Sequence, residues 1–174
     1  IVATVRSLGF NPQGVMLTHG HGDHIAAVEP IRRHYGIPLY ASADERELLL
    51  DPQQNLSALL VTPIVLQTPE HELVDEQVIL VGSLRFQVLA TPGHTPGGIC
   101  YLNDTSGALF CGDTLFQGSI GRTDLPGGDT QTLLESIRSK ILALPDGIVC
   151  YPGHGPRTTV GAERKNNPFL TGVY

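Results

Sequence analysis

The chain has 174 residues and a formal net charge of −6 at pH 7, a length that predicts one domain. Hydrophobic residues at 41% and charged residues at 16% supply a packed core and exclude a disordered chain. The acidic balance excludes a phosphate-tracking DNA or RNA binder, which carries a basic face, and no run approaches the ~18 apolar residues of a membrane span.

Residue 1 is Ile rather than Met, so a segment ahead of it is expected to be missing, and no signal peptide opens the sequence. Residues 1–9 read as the end of a helix, followed by a turn at Asn11-Pro12-Gln13-Gly14. Val15-Met16-Leu17-Thr18 is a short apolar strand. A helix is expected to begin near Asp23, a good N-cap residue, and to run through Ile25, Val28 and Ile31, with Pro30 interrupting or restarting it. Ile37–Tyr40 reads as a strand and Asp44–Leu50 as helical, whereas residues 51–75 read as loop with a little helix. Strands follow at Val78–Val81, Leu84–Thr91, Gly98–Leu102 and Ala108–Cys111. Asp129 is placed to cap an amphipathic helix carrying Leu133, Leu134, Ile137, Ile141 and Leu144 on one face. Gly147–Tyr151 is the last clear strand. Strands grouped between helices predict an α/β fold of sheets covered by helices. Cys100, Cys111 and Cys150 lie in apolar runs without close spacing, which predicts buried reduced thiols in a cytoplasmic protein.

Of the seven histidines, five sit in turn-rich segments directly after an apolar strand. His19, His21 and His24 belong to Thr18-His19-Gly20-His21-Gly22-Asp23-His24, after Val15–Leu17. His94 lies in Thr91-Pro92-Gly93-His94-Thr95-Pro96-Gly97-Gly98, after Phe86–Ala90. Asp113 follows Ala108–Phe110 in Cys111-Gly112-Asp113, and His154 follows Ile148–Cys150 in Tyr151-Pro152-Gly153-His154. Gly and Pro neighbours let the backbone turn each donor toward a shared point, and strand ends hold such loops rigidly. His34 and His71 stand alone and are assigned no role.

A structural zinc closes its shell with four protein ligands. His19, His21, Asp23, His24, His94, Asp113 and His154 make seven donors, which suits two metals with three private ligands each and one shared carboxylate. Asp113 is the natural bridge, because a carboxylate has two oxygens and a histidine cannot share one lone pair. The arrangement leaves a position for a water whose pKa falls toward ~7. Zinc is the default metal, and the ligand types also suit iron and manganese. Gly127-Gly128-Asp129 does not continue in the phosphate-loop pattern and reads as a turn plus helix cap.

These motifs resemble the metallo-β-lactamase superfamily over Val15 to Leu170, and Thr-His-x-His-x-Asp-His is among its most specific signatures. The resemblance implies an αββα sandwich with the metal site at one edge, a single domain over residues 1–174 that lacks its first N-terminal strands. It implies one metal held by His19, His21 and His94, a second held by Asp23, His24 and His154, and Asp113 between them. Thr91–Gly97, Gly121–Asp129 and the tail Glu163–Leu170 are similar to the single-domain, glyoxalase II-like hydrolases. Zinc β-lactamases of the superfamily lack the bridging Asp, so Asp113 argues against their chemistry.

The similarity therefore implies a dinuclear, metal-dependent hydrolase of a thioester, like hydroxyacylglutathione hydrolase, acting by attack of a metal-bridging hydroxide. Asp23 and Asp113 are its implied catalytic carboxylates, and Arg122 its implied contact to an anionic substrate. Two of the family's glutathione-binding positions, a Lys and a Tyr, are Arg122 and Asp124 here, and a further Tyr is Pro156. The chain also stops at Tyr174, short of the glutathione-gripping helical domain of the full enzymes. The expected partner is a small molecule, a glutathione or other thiol ester, with no nucleic acid and no membrane. Related persulfide dioxygenases hold one iron through positions that are His19, His94 and Asp113 here, and lactonases use a similar ligand set. Both are alternatives, as is an inactive metal-stabilised scaffold, against which the open bridging position argues.

Overall fold

Successive side chains along a strand point to opposite faces, and that alternation decides which layer each residue joins. The computed structural model describes residues 1–172. Its strands are β1 (Val15–Met16), β2 (Leu39–Ser42), β3 (His71–Leu73), β4 (Val78–Val81), β5 (Leu84–Ala90), β6 (Ile99–Asn103), β7 (Ala108–Gly112), β8 (Leu115–Phe116), β9 (Ser119–Ile120), β10 (Val149–Pro152) and β11 (Thr158–Thr159). A parallel sheet takes the order β1-β2-β3, a mixed sheet the order β11-β10-β7-β6-β5-β4, and β8-β9 form a hairpin. In the mixed sheet only β7 and β10 pair parallel. The helices are α1 (Val2–Ser7), α2 (Gly22–Ile25), α3 (Val28–Tyr35), α4 (Arg46–Leu50), α5 (Thr130–Ser136), α6 (Val160–Asn166) and α7 (Pro168–Thr171).

Three apolar layers hold these elements together. Leu89, Cys100, Leu102, Leu109 and Cys150 on one face of the mixed sheet pack against Leu133, Ile137 and Ile141 of the α5 segment and Val160 of α6. Ile79, Val88, Ile99 and Tyr101 on its other face meet Leu73, Met16 and Tyr40 of the parallel sheet. Leu39 and Ala41 on the outer face of the parallel sheet pack on Ile25, Val28 and Leu49 of α2, α3 and α4. The layering is helix, sheet, sheet, helix, the expected αββα sandwich. Each fully buried Leu or Ile in these layers contributes about 1.5–3 kcal/mol.

The strand expectations at 78–81, 84–91, 98–102 and 108–111 hold to within one residue at either end. Asp129 caps α5, its carboxylate accepting from the Thr132 amide at 2.7 Å, and a wider π-type turn at Ile137–Ile141 carries the apolar face onward. Other expectations need correction. Asp23 is not the N-cap of α2: His21 occupies that position in extended backbone, and Asp23 lies in the first turn. The expected interruption is present but falls at Ala26–Ala27, and the helix restarts at Val28 with Pro30 in the first turn of α3, where an amide has no intrahelical acceptor. β2 begins at Leu39 rather than Ile37, because Gly36 ends α3 in the left-handed conformation and the Ile37 amide still bonds Arg32. β3, inside the presumed loop 51–75, offers only one buried residue, Leu73, and so no alternation to read. Cys100, Cys111 and Cys150 are buried free thiols, and burial pushes the Cys100 thiol up to about 11. Among the described residues no helix is long and apolar enough to cross a membrane.

The cap gives a direct check on the fold. Asp129→Ala removes the side-chain acceptor for an α5 amide and should cost about 1 kcal/mol in urea denaturation. A loss of only a tenth of that would contradict the capping role.

Candidate metal centre

Five short segments converge at one edge of the sandwich. The loop after β1 brings His19 and His21, and the first turn of α2 brings Asp23 and His24. The loops after β5, β7 and β10 bring His94, Asp113 and His154. All seven predicted donors thus meet in one place, whereas His34 and His71 lie elsewhere: His34 bonds Arg6 and His71 stacks on Tyr40.

Among the described residues three groups of donors could each hold a cation; His19, His24 and Asp113 span the other two triads, which share no residue. In one, His19, His21 and His94 are all buried, with ligand atoms within 4.8 Å of one another, and His21 Nδ1 lies 3.0 Å from His94 Nε2. In the other, His154 Nε2 lies 3.0 Å from Asp23 Oδ2 and 3.3 Å from His24 Nε2. Asp113 stands between them: Oδ1 is 3.3 Å from His24 Nε2, and Oδ2 is 3.6 Å from His154 Nε2 and 3.8 Å from His94 Nε2. Gly153 makes room for this approach, since a Cβ there would sit 2.3 Å from Asp113 Oδ1.

Protonation follows from burial and neighbours. Burial, then the charges of His24, His94 and His21, holds His19 well below the usual histidine range. Burial and His94 take His21 down to about 4, against the pull of Asp23 and Asp113. Both rings are therefore neutral at pH 7, the ligand form. For His24 burial is outweighed by the hydrogen bond and charge of Asp113 and by the charge of Asp23, and its pKa is raised. Burial of Asp113 is likewise outweighed by the His24 hydrogen bond and the histidine charges, which hold its carboxyl below the usual range.

Ring orientation is set from outside the cluster. His94 Nδ1 lies 2.7 Å from the Arg122 carbonyl, which can only accept, so Nδ1 donates and Nε2 turns its lone pair inward. Thr18 Oγ1 occupies the same place for His19 Nδ1 at 3.2 Å. His19 Nε2 is then left buried with no hydrogen-bond partner, an omission worth about 1–3 kcal/mol against folding. An inward lone pair without a donor, among imidazoles and carboxylates of this spacing, fits a divalent cation.

The donors open onto a cavity of about 510 Å³ whose wall includes Leu56, Phe116, Ile120 and Leu125, with Arg122 also on the lining. Arg122 makes two 2.9 Å bonds to Asp124, so its guanidinium already has an anionic partner. The apolar wall residues carried no spacing signal in the sequence. Leu56 in particular stands in the left-handed conformation, φ 65°, in a loop without alternation.

The sequence profile of the metallo-β-lactamase superfamily matches residues 3–154. The chain belongs to that superfamily. A Bacillus subtilis relative described as a probable metallo-hydrolase, YqgX, is 40% identical over 97% of this chain and 80% of its own. The hydroxyacylglutathione hydrolase GloC of Haemophilus influenzae is 37% identical over 98% of this chain and 81% of its own. Among solved structures, the BLEG-1 B3 metallo-β-lactamase superposes with a TM-score of 0.92 and 45% identity, over 98% of this chain and 82% of that one. TTHA1623, solved in a di-iron-bound form, superposes with a TM-score of 0.86 and 36% identity, over 97% and 83%.

Metal removal tests the centre directly. Dialysis against a chelator should lower the melting temperature, and zinc at 100 times its Kd should restore about 2.7 kcal/mol of stability. A melting temperature indifferent to chelator and zinc would contradict a cation site here.

Proposed function

We propose that the protein is a metal-dependent hydrolase of a thioester, with two divalent cations, zinc by default and iron or manganese as alternatives, shared across the two triads. The observation that carries this reading is the position of Asp113 between the triads, with Oδ1 3.3 Å from His24 Nε2 and Oδ2 3.6 Å from His154 Nε2 and 3.8 Å from His94 Nε2. His19, His21 and His94 would hold one cation, Asp23, His24 and His154 the other, and Asp113 both. Bound there, the cations supply Lewis-acid polarisation of a carbonyl and a water acid enough to attack at neutral pH. The similarity to GloC supports the thioester class, and the di-iron form of TTHA1623 supports two metals in a site of this ancestry.

The chain's own groups have separate tasks. Asp23 is the half-exposed carboxylate of the set, placed to accept a proton from the attacking water and to orient it. Leu56, Phe116, Ile120 and Leu125 exclude water around the acyl and thiol portions of the substrate. A thiolate is a good leaving group and departs without a general acid. Because Asp124 engages Arg122, this cation contributes weakly to substrate binding, and Arg122→Ala should raise KM for a glutathione thioester less than tenfold.

A second reading rests on the 45% identity to the B3 metallo-β-lactamase, set against the expectation that Asp113 disfavours β-lactam chemistry. The deciding assay offers S-lactoylglutathione and a chromogenic β-lactam in parallel to the zinc-loaded protein and its Asp113→Ala variant. Thioester turnover that falls to background in the variant, with β-lactam turnover far slower, is the expected result. Faster β-lactam turnover would reverse the assignment. Inactivity toward both by folded, two-metal protein would remove the hydrolase reading and direct attention to oxygen uptake with a persulfide.

A further inference from the structure

Glu45 is a carboxylate with 1% of its surface exposed, in the short 3-10 turn Ala43–Glu45 that follows β2. A buried charge is costly unless hydrogen-bonded, and each Glu45 oxygen accepts from a backbone amide, with the Thr95 side chain of the His94 loop as a further partner. Oε2 accepts from the Gly20 amide at 2.7 Å, and Oε1 accepts from the Gly97 amide at 2.8 Å. Gly20 lies between His19 and His21, and Gly97 lies in the loop that carries His94. One side chain therefore ties together the two loops that supply the whole buried triad. It makes no such bond to the segments that carry Asp23, His24 and His154.

The glycines fit the same geometry. A Cβ on Gly20 would fall 2.6 Å from Leu48 Cδ2 and 3.1 Å from Glu45 Oε2, and one on Gly97 would fall 2.6 Å from the Glu45 nitrogen. Both loops are pressed against the Glu45 turn so closely that no side chain fits between. An ionised carboxylate is the side-chain end that accepts at both oxygens. A glutamine of the same size must turn its NH2 toward one of the two amides, and an aspartate is too short to span them.

We propose that Glu45 is a positioning residue that clamps the His19–His21 loop to the His94 loop and thereby sets metal affinity at that triad. The proposal rests on the reading of these histidines as metal ligands, and it goes beyond that reading by assigning a role to a residue outside the donor set. Groups that orient metal ligands typically change affinity 10- to 100-fold when removed.

The test titrates metal-free protein with cobalt, followed by its visible absorption, and with zinc against a chromophoric chelator. Wild type should take up two equivalents. Glu45→Gln should retain wild-type affinity for one equivalent and bind the other roughly 10- to 100-fold more weakly, with an altered cobalt spectrum. Ile141→Val, which trims the core under α5, should be less stable yet keep both affinities and the spectrum. Two wild-type affinities in folded Glu45→Gln would overturn the proposal, and so would an equal loss in Ile141→Val. Failure of wild type itself to bind metal would instead overturn the underlying metal reading. If Glu45→Gln does not fold, amide exchange in wild type decides: the Gly20 and Gly97 amides should be protected, and further slowed by zinc. Exchange at the rate of unstructured peptide would overturn the clamp.

Discussion

The structure turns on a cluster of imidazole lone pairs that point at one another away from water. His19, His21 and His94 are buried, their ring centroids 4.6–4.9 Å apart, and His19 Nε2 has no donor to accept from. Nothing in such a cluster favours folding by itself. Its desolvation and its unmade hydrogen bonds both count against the native state. The fold tolerates it because the backbone around it is over-determined: strand ends fix the loops, the Arg122 carbonyl and Thr18 hydroxyl fix two rings, and Glu45 fixes the loops to each other. This is preorganisation for a cation, in which the cost of assembling donors is met during folding rather than at binding.

The same constraint explains why the two sheets must dock. The parallel sheet leads into His19, His21, Asp23 and His24, and the mixed sheet delivers His94, Asp113 and His154. The site therefore exists only across their seam. Two bonds lock that seam immediately beside it: the Ile99 amide donates to the Thr18 carbonyl at 2.9 Å, and the buried Tyr101 hydroxyl donates to the Leu17 carbonyl at 2.7 Å. The apolar layer between the sheets supplies the driving force, and these bonds fix how the two sheets meet beside the seven side chains.

The parts legible in the sequence were those with local cause. Val88, Ile99 and Tyr101 alternate with Leu89, Cys100 and Leu102, and that period names the strands of the mixed sheet and their two faces. Asp129 before an apolar helical stripe names a cap. The donors stood out because histidine and aspartate beside Gly and Pro after apolar strands are poor core residues with a good reason to be there. What stayed hidden depends on partners far along the chain. Glu45 gains its meaning from residues 25 and 52 positions away, and β3 exists because β2 offers it an edge. Asp23 reads locally as a helix cap, yet its carboxylate turns to His154 across 131 positions.

The central claim is that these seven donors hold two cations with Asp113 between them. Crystals of the zinc-loaded protein, measured at the zinc absorption edge, test it most directly. The account predicts two anomalous peaks, one bounded by His19, His21 and His94 and the other by Asp23, His24 and His154, with the Asp113 carboxylate touching both. A single peak at full occupancy, or two peaks with Asp113 turned away from either, would contradict it.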